Sequence, residues 1–148
     1  MSVPALNRPA LSVVPDRSVE RTVDADVYRS VFRRHAAGVV VITTDAGHGP
    51  VGFTATSLVS ISLLPPLVSF AIATSGIDRF AEPTRWSRLP TGEPVLDDAP
   101  SFLRAQIAHR FAVGDHYLVV ARLATHTERR EHESLLYHDG RYAKAHHV

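Results

Sequence analysis

Gly52-Phe53-Thr54-Ala55-Thr56-Ser57-Leu58-Val59-Ser60-Ile61-Ser62-Leu63-Leu64-Pro65-Pro66-Leu67 mixes hydroxyl, small and apolar residues in one run and ends at two prolines. Thr and the apolar residues favour strand, and two prolines stop ladder pairing. The hydroxyls of Thr54, Thr56, Ser57, Ser60 and Ser62 can each donate and accept, and Ala55 leaves the neighbouring backbone amides open. Two readings stand side by side: a strand with hydroxyls on its solvent face, or a surface for a polar heterocycle with a phosphate tail. No Lys or Arg lies between Asp45 and Arg79, so a phosphate held here would rest on hydroxyls and backbone N–H groups.

Outward from that run, strands dominate. Val39 to Thr44 is a β-branched run, Ala46 to Pro50 a turn, and Val51 to Leu63 one or two further strands, giving a hairpin or meander. Leu67 to Thr74 is apolar almost throughout, as in a strand buried on both faces. Ser75 to Pro100 reads as a long loop, although a structureless loop of that length is unusual inside a compact domain. Leu103, Ala105, Ile107 and Phe111 then alternate with Arg104, Gln106 and Arg110, a strand with one polar face. The turn Ala112-Val113-Gly114-Asp115 leads to a partner strand from His116 to Thr127. Leu135 to His138, Asp139-Gly140 and Arg141 to Ala143 form a last hairpin with a dipeptide suited to a type I′ turn.

Before these strands, Asp24 can cap a helix whose stripe is Val27, Tyr28, Val31, Phe32 and His35, with Asp26 in the first turn, Arg33 and Arg34 in the last, and Gly38 beyond. His35 reads as a packed residue at the helix end. Residues 1–23, with Pro4, Pro9 and Pro15, read as an extended arm, leaving 24–148 as one domain. One helix and six or seven strands joined mostly by short turns predict a mainly β fold, an antiparallel β-barrel.

Composition excludes several functions. A net charge of +1, with fifteen Arg scattered among fifteen acids, gives no nucleic-acid footprint. No run is long and apolar enough to span a membrane and residues 1–26 carry no signal-peptide core, so a cytoplasmic protein is expected. The absence of Cys excludes disulfides and thiolate metal sites. The nine His form no ligand pattern, so no metal is expected, and no Gly-x-Ser-x-Gly elbow supports a hydrolase.

Four blocks in order carry a resemblance: Phe32-Arg33-Arg34-His35-Ala36-Ala37-Gly38-Val39-Val40-Val41-Ile42-Thr43; Gly49 to Ser57 through Pro65-Pro66-Leu67; Gly114-Asp115-His116; and Leu136-Tyr137 with Gly140-Arg141-Tyr142. Together they resemble the flavin reductase-like family of split β-barrels. The resemblance implies a Greek-key barrel with one N-terminal helix, a homodimer, that uses NADH or NADPH to reduce FMN or FAD and hands the product to a partner monooxygenase. It implies that Gly52, Phe53, Thr54, Ala55, Thr56 and Ser57 lie along the flavin and that Ala71, Ile72 and Ala73 continue that wall. It also implies that Gly114, Asp115 and His116 bind nicotinamide, with His116 as the catalytic residue and Tyr142 as an aromatic wall. A bland alternative stays open for each: Gly-Asp is an ordinary turn, His116 a strand-edge cap, and Tyr142 edge packing.

The chain departs from the family pattern after Thr74, where Ser75 runs directly into Gly76-Ile77-Asp78-Arg79-Phe80, text that resembles the family's sequence several tens of residues further on. That implies an internal deletion between Ser75 and Gly76, with similar Ala-Thr-Ser strings at both flanks. The missing part normally helps hold the flavin phosphate, and its loss is expected to expose the Leu67 to Thr74 strand. Beside the reductase reading stand a non-catalytic flavin-binding or dimerisation module and an inactive remnant.

Overall fold

The computed structural model describes residues 23–73, 84–128 and 130–146. The expected arm, apart from Val23, and the junction at Ser75-Gly76 lie outside the described residues.

Helix α1 (Ala25–Arg33) begins as its sequence requires: the Asp24 carboxylate accepts from the Asp26 N–H at 2.8 Å. Its stripe of Val27, Tyr28, Val31 and Phe32 is more than half exposed, and none of its residues is buried. His35 lies beyond the helix, exposed, with its ring edge-on to Phe32, rather than packed as expected.

Among the described residues eleven strands follow: β1 (Ala37–Gly38), β2 (Val40–Asp45), β3 (Pro50–Ala55), β4 (Val59–Ser62), β5 (Leu67–Ala73), β6 (Trp86–Arg88), β7 (Pro94–Leu96), β8 (Ser101–Val113), β9 (His116–Glu128), β10 (Leu135–His138) and β11 (Arg141–Lys144). All pairs are antiparallel, in ladders ordered β1-β10-β11, β2-β3, β4-β5-β9-β8 and β6-β7. Among the described residues these ladders do not close into one continuous barrel.

Of a hairpin or a meander, the structure has the hairpin: β2 pairs with β3, and β4 leaves β3 to pair with β5. Two expectations change. The second half of the expected long loop holds the short hairpin β6-β7, tied to β2 by the Thr43 hydroxyl donating to the Pro94 carbonyl at 2.7 Å. β5 is not exposed: it lies between β4 and β9, and Val68, Ser69 and Phe70 are buried. Apolar burial draws an apolar strand to the middle of its sheet, where both edges are paired.

The core centres on Val68, Phe70, Val119 and Ala121, with Ile42, Phe53, Leu58, Ile72 and Leu123 packed around them. The cross-strand register Phe70 opposite Val119 and Val68 opposite Ala121 puts these four on one face. At the far end, Asp139 (φ +49°) and Gly140 (φ +77°) make the left-handed turn expected between β10 and β11. That turn is fixed to the helix: the Asp139 N–H donates to the Arg33 carbonyl at 2.7 Å, and Arg33 Nε donates to Asp139 Oδ1 at 3.0 Å.

Asp45 closes the β2-β3 hairpin, accepting from the Gly47 and Gly49 N–H groups and from Arg88 Nη2 at 2.6 Å. The Arg88 hydrogen bond, followed by that of Gly47, holds the Asp45 carboxyl below its ordinary value of 3.8. A carboxylate with a depressed folded-state value contributes stability above its ordinary value and loses that contribution as pH falls through the folded one. Asp45→Asn therefore melts below the parent at neutral pH, and thermal melts across acid pH should show the gap closing as pH drops below 3.8. Phe70→Ala removes a ring from the centre of the core and should cost about 3 kcal/mol or more in urea denaturation.

Candidate functional site

The described part of the hydroxyl run divides by task. β3 pairs with β2 (Thr43 opposite Gly52, Val41 opposite Thr54), and side chains alternate along it. Phe53 turns inward, its ring 6.4 Å from that of Phe70, and Gly52 and Ala55 are buried. Phe53 thus serves the core with its side chain. Thr54 is half-buried and Thr56 exposed, and among the described residues their hydroxyls have no hydrogen-bond partner.

Ser57 links the run to β5. Its Oγ accepts from the Ala71 N–H at 2.9 Å and lies 3.4 Å from the Ala71 carbonyl, to which it can donate. β4 begins pairing only at Val59 opposite Ser69, so one side chain serves Ala71 where a neighbouring strand would otherwise continue. The hydroxyl run and the Ala71 to Ala73 end of β5 therefore meet at Ser57.

The β5-β9 register adds the next residue: Ala73 stands opposite His116, Ile72 opposite Tyr117 and Ala71 opposite Leu118. Ala71, Ala73, His116 and Leu118 share one sheet face, while Ile72 turns to the other and packs on the core. The β8-β9 register puts Val113 and Phe111 on the His116 face. The sequence placed Phe111 with Leu103, Ala105 and Ile107. The structure separates them because Ala108 is an extra, unpaired residue between Ile107 opposite Ala121 and His109 opposite Val120, and such a bulge flips the following alternation. Phe111, Val113 and Leu118, all partly exposed, are therefore site-face residues that sequence reasoning missed. The only signal was an alternation that skips from Ile107 to Phe111.

His116 opens β9 directly after a Gly114-Asp115 turn in which Gly114 has φ +58°. Its Nδ1 lies 2.6 Å from Asp115 Oδ1, and that partnership holds the Asp115 carboxyl below its ordinary value. Tyr142 is on β11, in the three-stranded ladder, edge-on to Tyr137 with 5.5 Å between centroids, and opposite it in register. No pairing joins that ladder to the His116 face among the described residues. A separate cleft of ≈ 400 Å³ lies between the hairpin ends at Asp45, Arg88, Thr91 and Glu93. Its charges are paired within the protein, Arg88 with Asp45 and Glu93 with Arg104. Among the described residues no cluster of His, Asp and Glu could hold a metal, and no helix is long and apolar enough to cross a membrane.

The flavin reductase like domain matches residues 32–77 and 71–146 of the chain. The NADH:FMN oxidoreductases of Rhodococcus qingshengii and Rhodococcus erythropolis are each 38% identical over 170 residues, covering 90% of this chain and 88% of the relative. A reductase subunit of a flavin-dependent monooxygenase, HsaB of Rhodococcus jostii, is 29% identical over 152 residues, covering 81% of this chain and 77% of its own. Among solved structures, a flavin reductase domain protein from Arthrobacter sp. FB24 superposes with TM-score 0.76 at 28% identity, covering 83% of this chain and 96% of that one. The flavin reductase HpaC, complexed with NADP+, gives 0.74 at 25% identity, covering 82% and 98%.

The two matched blocks overlap, so residues 71–77 answer to both the end of the first and the start of the second. In the 38% alignment, 90% of 148 residues is about 133, against 170 aligned positions, which leaves about 37 positions of the relative without a counterpart here. The overlap falls on the stretch that holds Ser75-Gly76.

Ser57→Ala strips the Ala71 N–H of its partner and should lower stability by about 1–2 kcal/mol. Thr56→Ala, at an exposed hydroxyl without a partner, should leave the urea midpoint unchanged. This chain belongs to the flavin reductase-like family.

Proposed function

We propose that this protein is an NAD(P)H-dependent flavin reductase that supplies reduced FMN or FAD to a partner monooxygenase. The observation that carries the reading is the register of Ala73 opposite His116. It brings the family's Gly114-Asp115-His116 block beside the β5 end that Ser57 ties to the hydroxyl run. The relatives named NADH:FMN oxidoreductase and monooxygenase reductase subunit support the same activity and the same kind of partner.

The donor set fits a flavin. The hydroxyls of Thr54 and Thr56, without a partner among the described residues, offer hydrogen bonds to it. When bound, FMN or FAD supplies the hydride acceptor, and the protein contributes orientation and electrostatics. Ala71 and Ala73 present a flat, small-residue wall, and Phe111, Val113 and Leu118 beside it supply apolar contact that excludes water from the ring faces. His116 hydrogen-bonds the nicotinamide end of the dinucleotide and orients it.

A homodimer and a cytoplasmic location belong to this reading. The exposed α1 stripe of Val27, Tyr28, Val31 and Phe32, together with exposed Ile107 on edge strand β8, supports association with a second chain. A second reading, a flavin-binding or dimerisation module without turnover, is favoured by one observation, the roughly 37 positions of the Rhodococcus relative that have no counterpart here.

Oxidation of NADH and NADPH by the purified protein, with and without FMN or FAD, separates the two. Flavin-dependent turnover is expected. His116→Ala should raise the KM for the reduced nicotinamide about fivefold or more, the loss of about 1 kcal/mol of hydrogen bonding, with the KM for FMN unchanged. Flavin binding without nicotinamide oxidation would establish the module reading instead.

A further inference from the structure

Asp115 and His116 are adjacent in sequence, yet they face different surroundings. The His116 side chain is 44% exposed and stands on the sheet face shared with Ala71, Ala73, Phe111, Val113 and Leu118. The Asp115 side chain is 92% exposed and sits in the turn outside the β8-β9 register, which closes at Val113 opposite His116. A carboxylate so placed is poorly sited to touch a ligand on that face. It is well sited to hold the imidazole, because its Oδ1 lies 2.6 Å from His116 Nδ1.

A neutral imidazole carries one proton on either ring nitrogen, and the hydrogen bond made by one nitrogen decides the state of the other. A carboxylate can only accept, so Nδ1 must carry the proton and Nε2 is left as a bare acceptor. A nicotinamide carboxamide offers amide N–H donors that suit such an acceptor. The Gly114 conformation, at φ +58°, is the left-handed turn geometry that delivers Asp115 to this position.

We propose that Asp115 is a positioning residue: it acts on the nicotinamide only through His116, fixing the Nδ1-protonated tautomer so that Nε2 accepts from the carboxamide N–H. The proposal rests on the reading of His116 as the nicotinamide contact.

The test pairs a spectroscopic and a kinetic measurement on the full chain. Long-range proton–nitrogen NMR of the imidazoles, with the His116 signal identified by its loss in His116→Ala, reads the tautomer without substrate. The parent and Asp115→Asn, whose amide oxygen still accepts, should show a protonated Nδ1. Asp115→Ala should shift His116 toward the Nε2-protonated form usual for a free imidazole. In steady-state kinetics Asp115→Ala should raise the KM for NADH about fivefold. The KM for FMN should stay unchanged, and Asp115→Asn should restore the parent value to within about twofold. An unchanged tautomer, or an unchanged NADH KM, in Asp115→Ala overturns the proposal. A tautomer that responds to Asp115 while His116→Ala leaves the NADH KM unchanged overturns the nicotinamide placement itself, a failure distinct from that of the Asp115–His116 pairing.

Discussion

The antiparallel pairing of β5 with β9 is the constraint on which the rest of the structure depends. It unites the core and the candidate site through one register. On one face of the pair, Val68 and Phe70 meet Ala121 and Val119 and form the buried centre of the molecule. On the other, Ala71 and Ala73 meet Leu118 and His116. A slip of β9 by one residue would turn its side chains over, taking Val119 and Ala121 off the core face and putting His116 and Leu118 onto it. The burial that stabilises the fold therefore also fixes where His116 stands.

Two local devices extend that ladder into a site. Ser57 supplies from a side chain the hydrogen bonds that β4, starting at Val59, does not supply to Ala71. The Ala108 bulge turns Phe111 and Val113 toward the His116 face and leaves Arg110 on the opposite face, where its guanidinium lies 4.7 Å from the Tyr117 ring centre. With them β5 stays interior, paired through Ala73, and a partly apolar surface surrounds His116.

Legibility in the sequence followed how local each signal was. Asp24 as the helix cap and Asp139-Gly140 as a left-handed turn rest on interactions within a few residues, and both are present as read. The β8-β9 hairpin was readable for the same reason, since Gly114-Asp115 separates two long strand patterns. The β6-β7 hairpin was not, because Trp86 and Val95 are isolated apolar points whose pairing depends on docking to β2 through Thr43 and Pro94. The departure of β4 from β3, the interior place of β5 and the flip of Phe111 are long-range or register effects, which periodicity within a strand does not encode. Of the candidate residues, Ser57, Ala71, Ala73 and His116 come together; Phe53 and Ile72 spend their side chains on the core; and Tyr142 lies in another ladder.

Anaerobic mixing of the purified chain with NADH and FMN is the most direct test of flavin reduction on the His116 face. Reduced FMN should appear far faster than in protein-free buffer, with NADH consumed in equal amount. A folded protein with a cooperative thermal transition that leaves the rate at the protein-free value would contradict a working reductase site.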